Sequence, residues 1–201
     1  MARPREFDID EALDGAMQVF WAKGYEATSL PDLLAAMGIA RGSLYKAFAD
    51  KRSIYLAALD RYDRTVVAEA AAMLRERGRG DGAERIRRLF KSAADAVALR
   101  NDRRGCLLCN AAVDQAPGDP EAAAKVLAML KRLERAIEAA LADSKAAARW
   151  PAARRAAAAR VLTNAYMGLR VLARGGYPAA ELEAIVAAAI EPYRAARRAS
   201  A

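Results

Sequence analysis

Apolar residues recur every three or four positions along almost the whole chain, which is the spacing that places them on one face of an α-helix. No stretch alternates apolar and polar residues as a β-strand does, and no segment repeats another. The pattern therefore predicts an all-α protein of about nine helices. We expect these helices at residues 8–23, 30–37, 41–48, 50–77, 83–100, 104–115, 121–142, 151–175 and 178–197.

Residues 28–52 carry the most specific local signals in the chain. Ser29 suits a helix N-cap, and Asp32, three residues later, completes a capping box. Gly38 can adopt the left-handed conformation that commonly ends a helix, and a second short helix follows it after a tight turn. Two short helices joined in this way form a helix-turn-helix, in which the second helix enters the major groove of DNA.

The second helix of this motif separates into a buried face and an exposed face at about 100° per residue. Its outer side chains are of kinds that reach phosphate oxygens, and an arginine there can also read guanine. The glycine on that side costs roughly 1 kcal/mol against alanine, and close approach of the backbone to a bulky partner is one reason for it. The predicted inner face holds Leu44, Ala47 and Phe48. The predicted outer face and its flanks hold Arg41, Gly42, Ser43, Tyr45 and Lys46.

Residues 7–55 resemble the DNA-binding domain of the TetR family of bacterial transcription regulators. The matching residues are Phe20, Lys23, Gly24, Tyr25, Thr28, Ser29, Leu33, Gly38, Gly42, Ser43, Leu44, Tyr45, Phe48 and Lys51. The chain departs from the family at Ala40, where Ser or Thr is usual, so the recognition helix lacks a hydroxyl cap worth about 1 kcal/mol.

The motif and the resemblance together predict a DNA-binding domain at residues 1–52, which begins with a short basic arm at residues 1–6. Lys51 and Arg52 open the next helix, where positive side chains and exposed N–H groups can hold a further phosphate. The predicted DNA-contacting residues are Thr28, Arg41, Gly42, Ser43, Tyr45, Lys46 and Lys51.

Residues 53–201 are, by the same resemblance, a helical effector-binding and dimerisation domain. The resemblance implies that the last two helices meet a second copy in a four-helix bundle, which would set two recognition helices one turn of DNA apart. The alternative is that their apolar stripes pack only within one chain. The predicted dimer interface is Leu162, Ala165, Leu169, Leu172, Leu182, Ile185, Val186 and Ala189.

A small-molecule pocket is also implied by the family, since helical bundles often enclose such sites. The candidate lining residues are large and apolar or aromatic, and each is equally consistent with the protein core. They are Phe90, Leu107, Leu108, Met129, Trp150, Tyr166 and Met167.

Cys106 and Cys109 form a C-x-x-C that allows several interpretations. They can be small buried hydrophobic residues, a thiol sensor, or the dithiol of a helical alkylhydroperoxidase-like oxidoreductase, although such enzymes normally place a histidine nearby. A shared zinc site would need ligands from two copies. Residues 105–110 also resemble a TetR subgroup with a Gly-Cys-Leu-Leu-x-Asn segment, which Cys106 matches, whereas Cys109 is peculiar to this chain.

Composition narrows the function further. The 201 residues contain no histidine, which removes histidine-based catalytic and metal sites, and no phosphate-binding glycine loop is present. The net charge is +8, but residues 1–60 hold seven Lys and Arg against nine Asp and Glu, leaving 26 against 16 elsewhere. The basic excess therefore lies mostly outside the DNA-binding motif. No apolar run is long enough to span a membrane, and the charged N-terminus does not resemble a signal peptide, so we expect a cytoplasmic protein.

The sequence therefore predicts a homodimeric DNA-binding transcriptional regulator, a repressor released from a palindromic operator by a small-molecule or thiol-reactive effector. We expect no enzymatic activity, no cofactor and no metal. The expected partners are double-stranded DNA, a second copy of the chain and an unknown small-molecule effector, with no membrane. The alternative from another class is a helical CxxC dithiol oxidoreductase.

Overall fold

The computed structural model describes residues 8–193, with the backbone alone for Arg79. The chain is helical throughout these residues, and no β-strand forms among them. The predicted basic arm and the predicted end of the last helix near residue 197 lie outside the described residues. The α-helices are α1 Ile9–Lys23, α2 Leu30–Met37, α3 Arg41–Ala47, α4 Lys51–Tyr62, α5 Ala68–Arg75, α6 Gly82–Arg100, α7 Leu107–Asp114, α8 Pro120–Ala142, α9 Ala152–Arg174 and α10 Ala179–Ile190.

The long helix predicted at residues 50–77 is interrupted by a π-helical segment, Asp63–Val67, that joins α4 to α5. These three segments form one continuous helical run, so the described residues contain nine helical runs and the predicted all-α class is confirmed. The periodicity of the sequence gave no sign of the π segment, which adds one residue to a helical turn.

One predicted helix boundary is wrong, and the last helix changes its hydrogen-bond pattern within the described residues. The helix expected from residue 104 begins at Leu107, because Gly105 has a φ of 71° and Cys106 is extended. The last helix ends at Ile190, and a 3-10 turn, Glu191–Tyr193, follows it. Pro192 lies in this turn, and proline cannot donate the backbone hydrogen bond that an α-helix needs.

The chain divides into two compact units, each of which is built from two separate segments of the sequence. The first comprises Met1–Val66 and Cys106–Leu127, and the second comprises Val67–Gly105 and Ala128–Ala201. The first unit thus contains α4, α7 and the start of α8 in addition to the three N-terminal helices. The functional boundary expected at residue 52 stays a prediction, because compactness alone does not define a functional domain.

In the first unit α1 packs against α2 and α4, and α7 packs against α1 and α4. A Cβ built on Gly15 would lie 2.0 Å from the carbonyl oxygen of Ala36, so only glycine permits this approach of α1 to α2. The centre of the unit is fully buried and apolar. Its buried side chains include Phe20, Leu33, Leu44, Ile54 and Leu59.

In the second unit α6 packs against α5, α9 and α10 around an apolar core. The core includes Phe90, Leu133, Ile137, Leu162, Leu169 and Leu182. One charge is buried beside it, where the guanidinium of Arg85 donates to Asp143 Oδ2 at 3.0 Å. That hydrogen bond lowers the pKa of the Asp143 carboxyl, which is therefore ionised at neutral pH. No helix in the described residues is long and apolar enough to cross a membrane.

Candidate nucleic-acid interface

The turn between α1 and α2 is fixed by reciprocal capping. The Asp32 amide donates to Ser29 Oγ at 3.3 Å, and the Ser29 amide donates to Asp32 Oδ2 at 3.0 Å. Lys23 Nζ lies 2.7 Å from Asp32 Oδ1, and this ion pair together with the Ser29 bonds lowers the pKa of the Asp32 carboxyl. Gly38 ends α2 with a φ of 64°. The capping box and the left-handed glycine predicted for this helix are both confirmed.

Helix α3 has the two faces that the sequence predicts. Leu44 and Phe48 are buried, whereas the Tyr45 side chain is 51% exposed and that of Lys46 is also exposed. Ala40 precedes the helix and makes no side-chain cap, as its missing hydroxyl requires. The helix is therefore held by its inner face and presents a polar outer face to the solvent.

The exposed face of α3 is open at its N-terminal end. A Cβ built on Gly42 would meet no atom within 4 Å, so nothing inside the protein requires glycine there. The Arg41 guanidinium lies 5.8 Å from the centre of the Tyr45 ring, which is a cation–π contact between residues one helical turn apart. A partner could therefore approach the backbone closely at Gly42. The same surface carries two cations, Arg41 beside the Tyr45 ring and Lys46 away from it. A phosphate-lined groove fits such a surface.

Two further predicted DNA contacts, Thr28 and Lys51, differ in their exposure and in their hydrogen bonds. The Thr28 side chain is 1% exposed, and its hydroxyl donates to the Gly24 carbonyl at 2.6 Å, so it does not join the exposed face of α3. Lys51 Nζ lies 4.5 Å from the centre of the Tyr25 ring and donates to the Glu26 carbonyl at 3.3 Å. Its ammonium group is half-exposed and oriented by these contacts.

Arg52, which the sequence predicted to help hold a phosphate, forms an ion-pair cluster with two carboxylates in this structure. Its guanidinium donates to both carboxylate oxygens of Asp119, at 2.6 and 2.8 Å, and to Glu121 at 3.1 Å. The guanidinium group of Arg52 is therefore paired with two carboxylates of the same chain. Sequence periodicity could not reveal this pair, because the partners are 67 residues apart.

The two cysteines differ in their surroundings and are not joined by a disulfide. Cys106 is 5% exposed, and its sulfur lies 3.3 Å from the hydroxyl of Tyr62 in α4, whereas Cys109 is half-buried. Burial at this level opposes thiolate formation and access by reagents. It also disfavours the dithiol oxidoreductase, whose leading cysteine must reach a substrate disulfide.

The two arginines before Cys106 are engaged elsewhere. Arg104 forms a bidentate pair with Asp102, at 2.9 and 2.7 Å, and this pair lowers the pKa of the Asp102 carboxyl to about 2. Arg103 donates to the Tyr177 carbonyl at 3.2 Å. Positive charge beside a cysteine favours its thiolate, but both of these guanidinium groups have other hydrogen-bond partners in this structure. Whether Cys106 reacts stays a prediction.

The residues expected to line an effector pocket are divided between the two units, and their role stays a prediction. Leu107 and Leu108 are buried in the first unit, and Phe90 and Met129 are buried in the second. Trp150, Tyr166 and Met167 are half-buried in the second unit. A cavity of about 370 Å³ does open in the second unit, between α6 and α10. It is lined by Arg87, Lys91, Ala94, Glu183, Val186, Ala187 and Ile190, none of which was anticipated.

The residues of the expected dimer interface are divided between buried and partly exposed positions. Four of them, Leu162, Leu169, Leu182 and Val186, are buried within the single chain. The other four, Ala165, Leu172, Ile185 and Ala189, are half-buried against the same core. The interface stays a prediction, and within this stripe only the half-buried residues are accessible to a second copy.

The opposite side of α9 and α10 is exposed and carries apolar and small residues, with the polar Asn164 among them. Val161 is 62% exposed and Val171 is 54% exposed on α9. Small residues extend this surface, which we call the outer stripe, along both helices. The outer stripe comprises Ala157, Val161, Gly168 and Val171 on α9 with Ala180, Ala184 and Ala188 on α10. The spacing of Val161, Gly168 and Val171 along the helix is the signal that could have identified it.

Among the described residues, no group of three or more Cys, Asp or Glu side chains is placed to hold a metal ion. Several acidic side chains of the first unit are paired with cations. Asp14 binds Arg61 through two hydrogen bonds, at 2.8 and 2.7 Å, and Asp60 binds Lys125 at 2.7 Å. These carboxylates balance positive charge within the first unit.

Known proteins resemble the chain both in sequence and in fold. The family model for bacterial regulatory proteins of the tetR family matches residues 12–58. The chain is 39% identical over 134 residues to YezE of Bacillus subtilis (strain 168), an uncharacterized HTH-type transcriptional regulator, covering 67% of this chain and 68% of the relative. It is 38% identical over 109 residues to the HTH-type transcriptional repressor ComR of Escherichia coli (strain K12), covering 54% of this chain and 51% of that protein.

A solved structure matches nearly the whole chain. It is a cysteine mutant of the TetR family transcriptional regulator CifR, complexed with 26-bp double-strand operator DNA. The TM-score is 0.79 at 29% sequence identity, covering 96% of this chain and 100% of that chain. The fold and the exposed face of α3 define a helix-turn-helix DNA-binding protein. The chain belongs to the TetR family of bacterial regulatory proteins and is a transcriptional regulator of that family.

Proposed function

We propose that the chain is a homodimeric repressor that binds a palindromic operator through α3 and leaves it when an effector binds. The observation that carries this proposal is the exposed face of α3, where Arg41, Gly42, Tyr45 and Lys46 are all accessible while Leu44 anchors the helix. Ser43 is half-exposed on its flank, and Lys51 adds a cation at the start of α4. ComR is a repressor by its description, which supports repression rather than activation.

A dimer is needed because seven residues of α3 make few base contacts alone. The outer stripe supports such a dimer, since it exposes two valines with small residues around them, and small residues let helices approach closely. Single exposed apolar residues are ordinary on a protein surface, whereas apolar residues grouped on one face mark interaction sites. The two valines lie on one face of α9 with small residues beside them. The second copy would therefore contact the outer stripe rather than the buried stripe expected from the sequence.

The effector is either a small molecule or a thiol-reactive compound. For a thiol-reactive effector, the contact between Cys106 and Tyr62 supplies a route, because an added group on a buried sulfur would displace α7 from α4 within the first unit. The CifR structure is that of a cysteine mutant, which makes cysteine a reasonable group to test in this chain. In either case the effector must bind one conformation better than the other to shift the population.

The test of DNA binding starts from a random duplex library and selects the sites that the protein retains. We expect the selected sites to be inverted repeats whose half-sites are about one helical turn apart or a multiple of it. Selection of single, unrepeated half-sites would contradict the dimer, and failure to enrich any sequence would contradict the regulator function itself.

The test of the effector class uses the selected duplex with the parent and with Cys106→Ser, before and after mild peroxide or an alkylating agent. A thiol-reactive effector predicts that only the parent loses affinity. Equal affinities in all four samples would leave a small-molecule pocket as the sensor. Disulfide-reductase turnover by the parent, abolished in Cys106→Ser, would instead support the oxidoreductase.

A further inference from the structure

Arg52 connects the start of α4 to the turn between α7 and α8 through a planar, bidentate ion pair. Its Nε lies 2.6 Å from Asp119 Oδ2 and its Nη2 lies 2.8 Å from Asp119 Oδ1, with Glu121 at 3.1 Å from the same Nη2. The Asp119 side chain is only 15% exposed. A fork-to-fork pair of this kind constrains direction as well as distance, which a single contact from lysine cannot do.

Asp119 also caps α8. Its Oδ1 accepts from the amide of Glu121 at 2.9 Å and from the amide of Ala122 at 3.2 Å. The hydrogen bonds from Arg52 and from these amides lower the pKa of the Asp119 carboxyl to about 2. One carboxylate, ionised at any physiological pH, therefore holds the first turn of α8 and the first turn of α4 together.

The same two helices are joined at a second point. Lys125 Nζ lies 2.7 and 2.8 Å from the two oxygens of Asp60, two turns further along α4. Beyond it, Tyr62 contacts Cys106 at the start of α7. Helix α4 is thus attached along its length to residues 106–127, so its direction is set by more than its own contacts with α1.

The position of Arg52 makes this attachment relevant to α3. Helix α3 ends at Ala47, and only three residues separate it from Lys51, where α4 begins. Asp50 caps α4 with its side chain accepting from the Ser53 amide at 2.7 Å. A short, capped junction leaves little freedom between the two helices. A displacement of the first turn of α4 would therefore move α3.

We propose that Asp119 is a positioning residue for DNA binding: by holding Arg52 it fixes the first turn of α4 and thereby the presentation of α3. Arg52, whose side chain is 47% exposed, is then a strut within the first unit and not a phosphate ligand. This inference rests on the proposed function, in which α3 contacts DNA. It extends the DNA-binding unit beyond residue 52 to residues 106–127, so that a change in the α7–α8 turn reaches the first turn of α4, and hence α3, through the Arg52–Asp119 pair.

The test is a double-mutant cycle of Arg52→Gln, Asp119→Asn and the pair, in the full chain. Asparagine can still accept the two amide bonds that cap α8, so Asp119→Asn removes the Arg52–Asp119 ion pair while keeping the cap and the Arg52–Glu121 contact. Arg88→Gln is the matched control, because Arg88 forms an exposed ion pair with Glu84 in the second unit. The DNA probes are the selected duplex and a scrambled duplex of equal length.

We expect each single variant to lose affinity for the selected duplex by about tenfold, and the double variant to lose no more than either single variant. The affinity for the scrambled duplex and the salt slope should not change, because no phosphate contact is lost. Arg88→Gln should match the parent. Arg52→Lys keeps the charge without the fork and should fall between the parent and Arg52→Gln.

The proposal is overturned if Arg52→Gln lowers the salt slope by about one unit per subunit while Asp119→Asn raises affinity, since Arg52 would then be a phosphate ligand masked by an acid. It is also overturned if both variants match the parent.

Amide hydrogen exchange of residues 41–56 without DNA separates this proposal from the proposed function. Faster exchange in Asp119→Asn than in the parent supports the strut even if the parent selects no DNA. Unchanged exchange overturns it.

Discussion

Helix α3 and the α9–α10 pair each bury one face and expose the other, and the chemistry of their exposed faces differs. Helix α3 buries one apolar face and exposes an arginine, a tyrosine and a lysine. The α9–α10 pair buries leucines in the core and exposes valines and alanines in the outer stripe, beside Asn164. The inner and outer faces of α3 therefore differ more in polarity than the buried leucines and the outer stripe of α9 do.

The difference shows what amphipathic patterns can and cannot report. Where a surface contacts a charged partner, polarity alone distinguishes it from the core. Where a surface is apolar, it is chemically similar to a core and only burial in the folded chain tells them apart. Size is the remaining clue, because large apolar residues fill a core and small ones permit two helices to approach closely.

The sharpest test of this contrast is Leu169→Glu. Leu169 is buried within the second unit, so the variant places an unpaired carboxylate in the core. We expect the unit to lose on the order of 3 kcal/mol or more of its free energy of unfolding. Thermal unfolding followed by circular dichroism measures this. A folded monomer of parental stability would show that Leu169 belongs to the dimer interface after all.

The complementary change is Val161→Glu with Val171→Glu, on the outer stripe. We expect a folded protein of nearly parental stability that sediments as a monomer and binds the selected duplex about a hundredfold more weakly, because the two half-sites are no longer bound together. The matched control is Leu99→Glu, since Leu99 is 76% exposed on α6 and outside the outer stripe. A dimer in the double variant would move the interface elsewhere.

On the polar side, Lys46→Ala tests the assignment of α3 to phosphate. We expect weaker binding to all DNA sequences alike and a salt slope reduced by about one unit per subunit. Lys145→Ala removes the same charge from an exposed position in the second unit and should leave the slope unchanged. A parental slope for Lys46→Ala would mean that Lys46 contacts no phosphate.

A smaller effect is expected at the start of α3. Ala40→Ser supplies the side-chain cap that this helix lacks, and its extended backbone, with φ −72° and ψ 152°, already suits a capping residue. We expect the free energy of unfolding to rise by about 1 kcal/mol, measured by urea denaturation. Ala49→Ser, just after the helix, is the control and should give no gain. An unchanged or lower stability for Ala40→Ser would indicate that the cap position is strained.

The smallest expected effect is that of pH. The Asp119 and Asp32 carboxyls have lowered pKa values, so their stabilising contributions are complete above about pH 4 and are lost only as the pH falls toward 2. Burial raises the pKa of the Tyr55 hydroxyl, so its effect appears only as the pH rises past 10. With no histidine in the chain, the free energy of unfolding should be flat between about pH 5 and 7.5. A transition within that range would contradict these assignments.

Local features of the chain were predictable because their causes lie within a few residues of each other. The capping box of Ser29 and Asp32, the left-handed Gly38 and the faces of α3 depend on neighbours three or four residues apart. The all-α class follows from the same short-range periodicity. These features also carry the resemblance to the TetR family, which is why the DNA-binding motif was identified from the sequence.

Features that depend on distant residues needed the tertiary structure. The Arg52–Asp119 pair, the contact of Tyr62 with Cys106 and the burial of Leu169 each join parts of the chain that periodicity treats separately. In α9 the sequence offered two apolar faces of similar hydrophobicity, and the folded chain covers one of them. The sequence by itself determined which segments become helices and which surface of α3 is polar. Only the tertiary structure decided which apolar surfaces remain exposed, because burial depends on what else packs there.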